Sequence, residues 1–222
     1  GLLGMAGFMV TQTRTSLLVL PVYLLLGILL AWKDKSRVKI VIGYLVSITI
    51  IFALLFTIPM VQNRVEEAKN EFLQCIHVNP IADESICIRL QLWNTAIDIW
   101  QRNPLIGTGS NAQFSKELQN HSVPKGMASQ TTANDFGEPH NDYLQALSSF
   151  GPLGVLGLLF LYFAPAWIFV RRLLQSNQVL IRSFAAMGAA VCLGFAMYSM
   201  TELMFRGMRT LSFYTFMVAV FL

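Results

Sequence analysis

Four long apolar runs constrain this chain more than any other feature. Ser16–Trp32, Ile40–Met60, Pro152–Val170 and Phe184–Met200 contain no charged side chain. A bilayer's hydrocarbon layer asks for roughly 20 such residues per helix, with about 17 to 25 allowed. Each run therefore reads as a spanning helix, and the expected fold class is an all-α polytopic membrane protein. The fourth run carries Ala185, Ala186, Gly188, Ala189, Ala190 and Gly194, small residues suited to close helix packing. Gly1–Val10 and Leu211–Leu222 read as the end of an earlier span and the start of a later one. The chain is thus expected to be a fragment, with further spans supplying residues of their own.

Composition agrees. Charged residues make up 13% of the chain, against about a quarter in soluble domains. The net charge of +4 comes from short basic clusters beside the apolar runs. Topology explains those clusters, so no nucleic-acid partner is expected. Lys33, Lys35, Arg37 and Lys39 link the first two spans, and Arg171, Arg172 and Arg182 link the last two. By the positive-inside rule both links face the cytoplasm. The organisation that follows is membrane helices over residues 1–60, an outer loop over 61–151 and membrane helices over 152–222. The loop holds ten acidic residues against six basic ones, compatible with translocation.

A connection of about ninety residues is far longer than the roughly 12–15 at which structureless loops become uncommon. The function is expected to lie here. Val61–Gln74 reads as a charged helix leaving the membrane. Ser85–Arg102 reads as an amphipathic helix with Trp93, Ile97 and Trp100 on one stripe and Arg89 a turn earlier on that face. Asn103-Pro104 ends this helix and Gly107-Thr108-Gly109 turns the chain. Asn111–Phe136, rich in Ser, Thr, Asn and Gln, is expected to be mobile. Asn141–Phe150 begins a helix that reaches Gly151-Pro152 and the third span. Cys75 and Cys87 both fall in the loop, where an oxidising compartment permits a disulfide. That bond would pin the helix carrying Arg89 to the one before it.

Few side chains here could carry chemistry. His140, in Glu138-Pro139-His140-Asn141-Asp142, precedes a predicted helix just outside the membrane. An uncharged imidazole there can serve as a general base; a loop histidine that only hydrogen-bonds is the plainer alternative. Arg14 lies between two apolar runs at the outer end of the first span. An arginine at membrane depth usually has a partner or a role, and its planar donor fork suits phosphate oxygens. Snorkelling to headgroups would also account for it. Arg89 could converge with Arg14 on a diphosphate, or pair with a loop carboxylate. Glu202, near Arg206 and Arg209, follows the fourth span on the same outer side and reads first as part of an ion pair. Gly107-Thr108-Gly109 lacks the Lys-Ser/Thr of a phosphate loop and follows no strand, so it reads as a turn. His77, His121 and His140 lack ligand-like spacing. No metal and no cofactor are therefore expected.

The order of these features resembles a known family. An arginine opens a span, a large outer loop follows, and an Arg-x3-Trp helix comes next (Arg89 to Trp93). Asn103-Pro104-Leu105-Ile106-Gly107-Thr108-Gly109 then leads to Pro139-His140-Asn141-Asp142-Tyr143-Leu144-Gln145, which runs into Gly151–Gly154. From about Arg14 to Glu202 the chain resembles the O-antigen ligase / O-antigen polymerase family of bacterial inner-membrane glycosyltransferases, whose members include oligosaccharyltransferases acting on pilin. The resemblance implies a GT-C-like multi-span helical bundle with its active site in a periplasmic loop. It implies metal-independent, inverting transfer of a polysaccharide from undecaprenyl diphosphate to the lipid A–core acceptor of lipopolysaccharide. An O-antigen polymerase or a pilin O-oligosaccharyltransferase is the alternative. His140 matches the histidine that activates the acceptor hydroxyl, and Arg14 and Arg89 match arginines that hold the diphosphate. Asn141 and Glu202 are further substrate-binding candidates. The implied partners are the lipid-linked glycan donor, the lipid A–core acceptor and membrane lipids. A transporter or flippase is a more distant reading, since its ionisable groups would be expected near the midplane of the spans.

Overall fold

The computed structural model describes residues 19–31 and 37–222, and their regular structure is entirely helical. In chain order the helices are α1 (Leu20–Ala31), α2 (Arg37–Phe56), α3 (Pro59–His77), α4 (Ser85–Arg102), α5 (Gln113–Glu117), α6 (Gln130–Asp135), α7 (Asp142–Gln175), α8 (Val179–Tyr198) and α9 (Met208–Phe221), with a π-helical turn Leu118–Ser122 after α5. Two of them, α7 and α8, are long and apolar enough to cross a membrane. The described residues fall into two compact units. One comprises residues 38–157; the other comprises 158–222 together with α1.

In the second unit α8 packs against α1 and α9. Of the small residues singled out in the sequence, Ala185, Gly188, Ala189 and Gly194 are buried and Ala186 and Ala190 are partly buried; Cys192 and Ala196 are buried beside them. A methyl group on Gly188 would stand 2.6 Å from the ring of Phe169, and one on Gly194 would stand 3.0 Å from the Tyr23 hydroxyl. Side chains any larger would push these helices apart. Arg182, read from the sequence only as a topological charge, is buried in the first turn of α8 and 7% exposed. Its Nε donates to the Leu173 carbonyl at 3.3 Å, and its Nη2 donates to the Leu29 carbonyl at 3.1 Å and to that of Leu30. Those oxygens end α7 and α1, where helices leave carbonyls unsatisfied and carry partial negative charge.

The first unit is built around α4. Its buried face carries Leu92, Ala96 and Ile99, which meet Phe114, Leu118, Ala128 and Ala133 in one core cluster. Two expectations are corrected here. The stripe of Trp93, Ile97 and Trp100 is not the buried one: Ile97 is exposed, and both indoles sit half-buried at the margin. They sit there because each indole N–H needs an acceptor. Trp93 Nε1 donates to the Pro139 carbonyl at 3.0 Å, and Trp100 Nε1 to the Pro104 carbonyl at 3.2 Å.

The second correction concerns Asn111–Phe136, which is an ordered, helical part of this core. Burying a Phe or Leu contributes on the order of 1.5–3 kcal/mol, and Phe114 and Leu118 are both fully buried. Buried amides join the rest. Gln91 donates from Nε2 to the Ala82 carbonyl and accepts from the Ser129 N–H, both at 2.8 Å. Ser129 Oγ then caps α6 by accepting from Thr132 N at 2.9 Å. Cys75 and Cys87 are joined in a disulfide, Cα atoms 5.3 Å apart, between the end of α3 and the first turn of α4.

Asn103–Gly109 is a backbone clamp, as its turn chemistry suggests. Gly107 (φ 59°) and Gly109 (φ 76°) occupy the left-handed region, which glycine enters without steric cost. Thr108 N donates to the Ser148 carbonyl at 2.9 Å, and Gly109 N to that of Ser149 at 2.7 Å. A Cβ on Gly107 would lie 2.5 Å from the Ser148 oxygen. The segment it grips leads to Gly151 (φ 66°, ψ −159°), the non-helical break inside α7. Pro152 follows, with its φ suited to a helix start and no N–H to leave unsatisfied.

Candidate active site

His140 is placed by three local devices. Asn141 begins α7 as its cap: its Oδ1 accepts from Leu144 N at 3.0 Å, satisfying one of the free N–H groups of the first turn. On the other side, Pro139 is held by the Trp93 indole. Between them, His140 adopts φ 47°, the positive φ found among described residues other than glycine. Histidine tolerates this region better than most side chains, yet it remains uncommon, and such backbone persists where surroundings over-determine it. The imidazole also packs edge-on to Phe136, ring centroids 5.7 Å apart.

Arg89 comes from α4, one turn before Trp93. Arg89 and His140 line the same cavity, of about 270 Å³, together with Asp83, Ser85, Ile88, Leu92 and Phe136. The walls combine a guanidinium, an imidazole, a carboxylate, a hydroxyl and apolar surface. Asp83 accepts from Ser129 Oγ at 2.6 Å, which ties its carboxylate back to the fold. This arrangement can hold an anionic group beside a hydroxyl whose proton needs an acceptor.

The other sequence candidates are placed as follows. Asn141 adjoins His140, is buried, and gives its side-chain oxygen to the helix cap. Glu202 belongs to the other unit, in the turn after α8, where its N–H donates to the Tyr198 carbonyl at 3.0 Å. That turn is held by Phe205, which stacks on Tyr162 at 5.2 Å and on Phe195 at 6.1 Å. Arg14 lies outside the described residues. Sequence reasoning missed Phe136 and the bond from Trp93 to Pro139. The aromatic residue four positions before His140 was the available signal for the first; nothing local pairs residues 93 and 139.

On the far side of α4, Asp98 organises a different group of charges. Arg102 Nε meets Asp98 Oδ2 at 2.9 Å, Arg102 Nη2 meets Glu117 Oε2 at 2.7 Å, and Lys125 Nζ meets Asp98 Oδ1 at 3.4 Å. His121 Nε2 is 3.4 Å from the same carboxylate without hydrogen-bonding geometry. Burial acts to raise the Asp98 carboxyl, but hydrogen bonds and charge from Arg102 and Lys125 outweigh it and hold it below its ordinary value.

The fold and site define a class: described residues whose regular structure is helical, with two helices apolar enough to cross a membrane, and a loop region built around α4 that sets a histidine and an arginine over one cavity. Residues 1–160 match the family model described as O-antigen ligase, and the chain belongs to that family. It is 28% identical over 165 residues to an O-antigen ligase of Escherichia coli K12, an alignment covering 71% of this chain and 37% of that protein. It is 27% identical over 152 residues to an uncharacterized protein of Haemophilus influenzae, covering 68% of this chain and 37% of the relative. The chain thus spans little more than a third of the length of these relatives.

Proposed function

We propose that this chain carries the acceptor-activating centre of an O-antigen ligase-type glycosyltransferase, with His140 as general base and Arg89, joined by Arg14, binding the diphosphate of the donor. The observation that carries this reading is that Arg89 and His140, 51 positions apart in the chain, line one cavity. The donor is a polysaccharide on undecaprenyl diphosphate and the acceptor is a lipid A–core sugar. The acceptor oxygen attacks the anomeric carbon as the bond from that carbon to the diphosphate oxygen breaks, with inversion. The hydroxyl proton passes to His140. The departing diphosphate keeps the bonding pair, and the guanidinium groups neutralise its charge. No metal is required for this step.

The magnitudes suit these parts. A base in place contributes roughly 10²–10⁴ in rate. A fixed cationic donor at developing charge contributes on the order of 3–4 kcal/mol. A cavity of about 270 Å³ falls just below the usual ~300–1,000 Å³ of small-molecule sites. It fits the reacting groups of two large substrates rather than either whole molecule. The basic clusters at residues 33–39 and 171–182 support a periplasmic position for this centre in the bacterial inner membrane.

The test uses the full-length protein. Transfer from undecaprenyl diphosphate to lipid A–core is followed in chelator-treated buffer for wild type and His140→Ala, with detergent thermal melts as the folding control. A loss of about 10²-fold or more at an unchanged melting temperature is expected. Undiminished transfer by the variant would remove His140 from the chemistry. Transfer only to a lipid-linked repeat, or only to pilin, would replace the ligase reading with the polymerase or the protein glycosylation alternative.

A further inference from the structure

The clamp Asn103–Gly109 is rigid, yet its tip carries two adjacent aliphatic side chains in the open. Leu105 is 77% exposed and Ile106 71%. They are not at the end of a slack loop. Thr108 and Gly109 donate their backbone N–H groups to the carbonyls of Ser148 and Ser149, and Gly107 donates to that of Asn103. The backbone of Leu105 and Ile106 lies so close to Gly151 that a Cβ there would collide with the Leu105 carbonyl. The exposed pair is therefore fixed at the level where α7 breaks and its apolar length begins. Next to that point Leu153 is 72% exposed, Leu156 60% and Phe150 45%. The apolar surface of the tip thus continues onto the first turns of a helix apolar enough to span a membrane.

We propose that Leu105 and Ile106 form a wedge seated in the acyl chains of the bilayer's outer leaflet, fixing the height of His140 above the membrane. This rests on the reading above that α7 beyond Gly151 crosses a bilayer. Against lipid these two exposed aliphatics, continued by Phe150, Leu153 and Leu156, are in their preferred medium. The occupant is lipid because the exposed surface is continuous with that of the span itself. The consequence is a ruler. Asp142–Phe150 rises about 1.5 Å per residue, so the helix start beside His140 stands at most about 12 Å from Phe150. The headgroup layer of one leaflet occupies roughly 5–8 Å. The base is thereby held at or just beyond the headgroups, the level of the sugar–diphosphate bond of a lipid-anchored donor.

The test is spin-label accessibility in the full-length protein reconstituted in lipid nanodiscs. Single labels are placed at Ile106→Cys and, as a control for the span, at Leu156→Cys. Both sites are exposed, so neither label disturbs packing. Collision with oxygen, which concentrates in acyl chains, is compared with collision with a water-soluble nickel chelate. Both labels are expected to favour oxygen several-fold. A label at 106 that favours nickel while 156 favours oxygen overturns the wedge and leaves the span intact. A label at 106 shielded from both reagents would mean another protein segment covers the tip, which also overturns it. Nickel-accessible labels at both sites would remove the span reading and the wedge with it.

Discussion

The unit built on α8 and the unit built around α4 each hold an arginine away from full exposure, and they use it differently. Arg182 directs Nε and Nη2 to the carbonyls of Leu29, Leu30 and Leu173. Its charge lies at the C-terminal ends of two helices, and it acts as a staple. Arg89, half-buried on α4, lines a cavity that also receives His140. A guanidinium has five donors in a fixed fork, so its role follows from where those donors point. Nothing in the local sequence separates the two: each stands among apolar neighbours and each could have been read as a topological or paired charge.

The sharpest way to break this comparison is to remove each arginine in turn. Arg89→Ala should lower transfer about 10²–10³-fold while the melting temperature stays put, and Arg89→Lys should recover little, because an ammonium cannot replace the planar fork. Unchanged transfer in Arg89→Ala would take it out of the site. Arg182→Ala should do the reverse. Leaving buried helix-end carbonyls without a donor costs about 1–3 kcal/mol for a group so stranded, so detergent melts should shift down clearly while each folded molecule keeps its activity. A melt as high as wild type would mean that water or neighbouring backbone satisfies those carbonyls, and the staple would not be needed.

How much of this was legible follows the same divide. The helix Ser85–Arg102 is readable because apolar residues recur along it at helical spacing and Asn103-Pro104 stops it; which face is buried is not, because that face also carries Gln91 and Thr95. Of the four apolar runs, the last two fall in helices long and apolar enough to cross a membrane, α7 and α8, and they are readable because span length is set by the bilayer rather than by partners. The turn at Gly107-Thr108-Gly109 is legible as a turn, but its receptor is not: the Ser148 and Ser149 carbonyls lie some forty residues on, and backbone carbonyls leave no mark in a sequence. Asn111–Phe136 misleads for a similar reason. Its burial rests on isolated apolar residues at irregular spacing and on a glutamine, Gln91, from another helix. Polar composition reads as mobility when the polar groups are in fact hydrogen-bonded inside. At the site, His140 and Arg89 are each visible as candidates, whereas their meeting over one cavity depends on long-range packing.

A smaller effect sharpens how the unit around α4 holds its histidine. Trp93→Phe keeps the ring but removes the N–H that donates to the Pro139 carbonyl at 3.0 Å. The loss of one such bond is worth about 1 kcal/mol, so stability should fall slightly. Because that bond anchors the residue next to His140, kcat should fall several-fold with KM little changed. Equal kcat in the two proteins would show that the Asn141 cap and the Phe136 contact suffice to place the imidazole.

The smallest expected effect tests whether the two sides of α4 are independent. Asp98 lies nine residues after Arg89, two and a half helical turns, which puts it on the opposite side. Its carboxyl is held below its ordinary value because Arg102 and Lys125 outweigh the cost of its burial. For a carboxyl whose folded value is depressed, the stabilisation is fully present above the unfolded value, about 3.9, and is lost as pH falls through the folded one. These ion pairs are partly open to water, so they contribute no more than about 1 kcal/mol. Wild type should therefore melt slightly above Asp98→Asn at neutral pH. The gap should close only as the pH drops below the ordinary carboxylate range, and transfer at neutral pH should be the same in both. A gap that persists into strong acid would mean that Asp98 acts through packing rather than charge. A loss of transfer in Asp98→Asn would mean that its network reaches through the helix to the cavity, and that the two faces of α4 form one device.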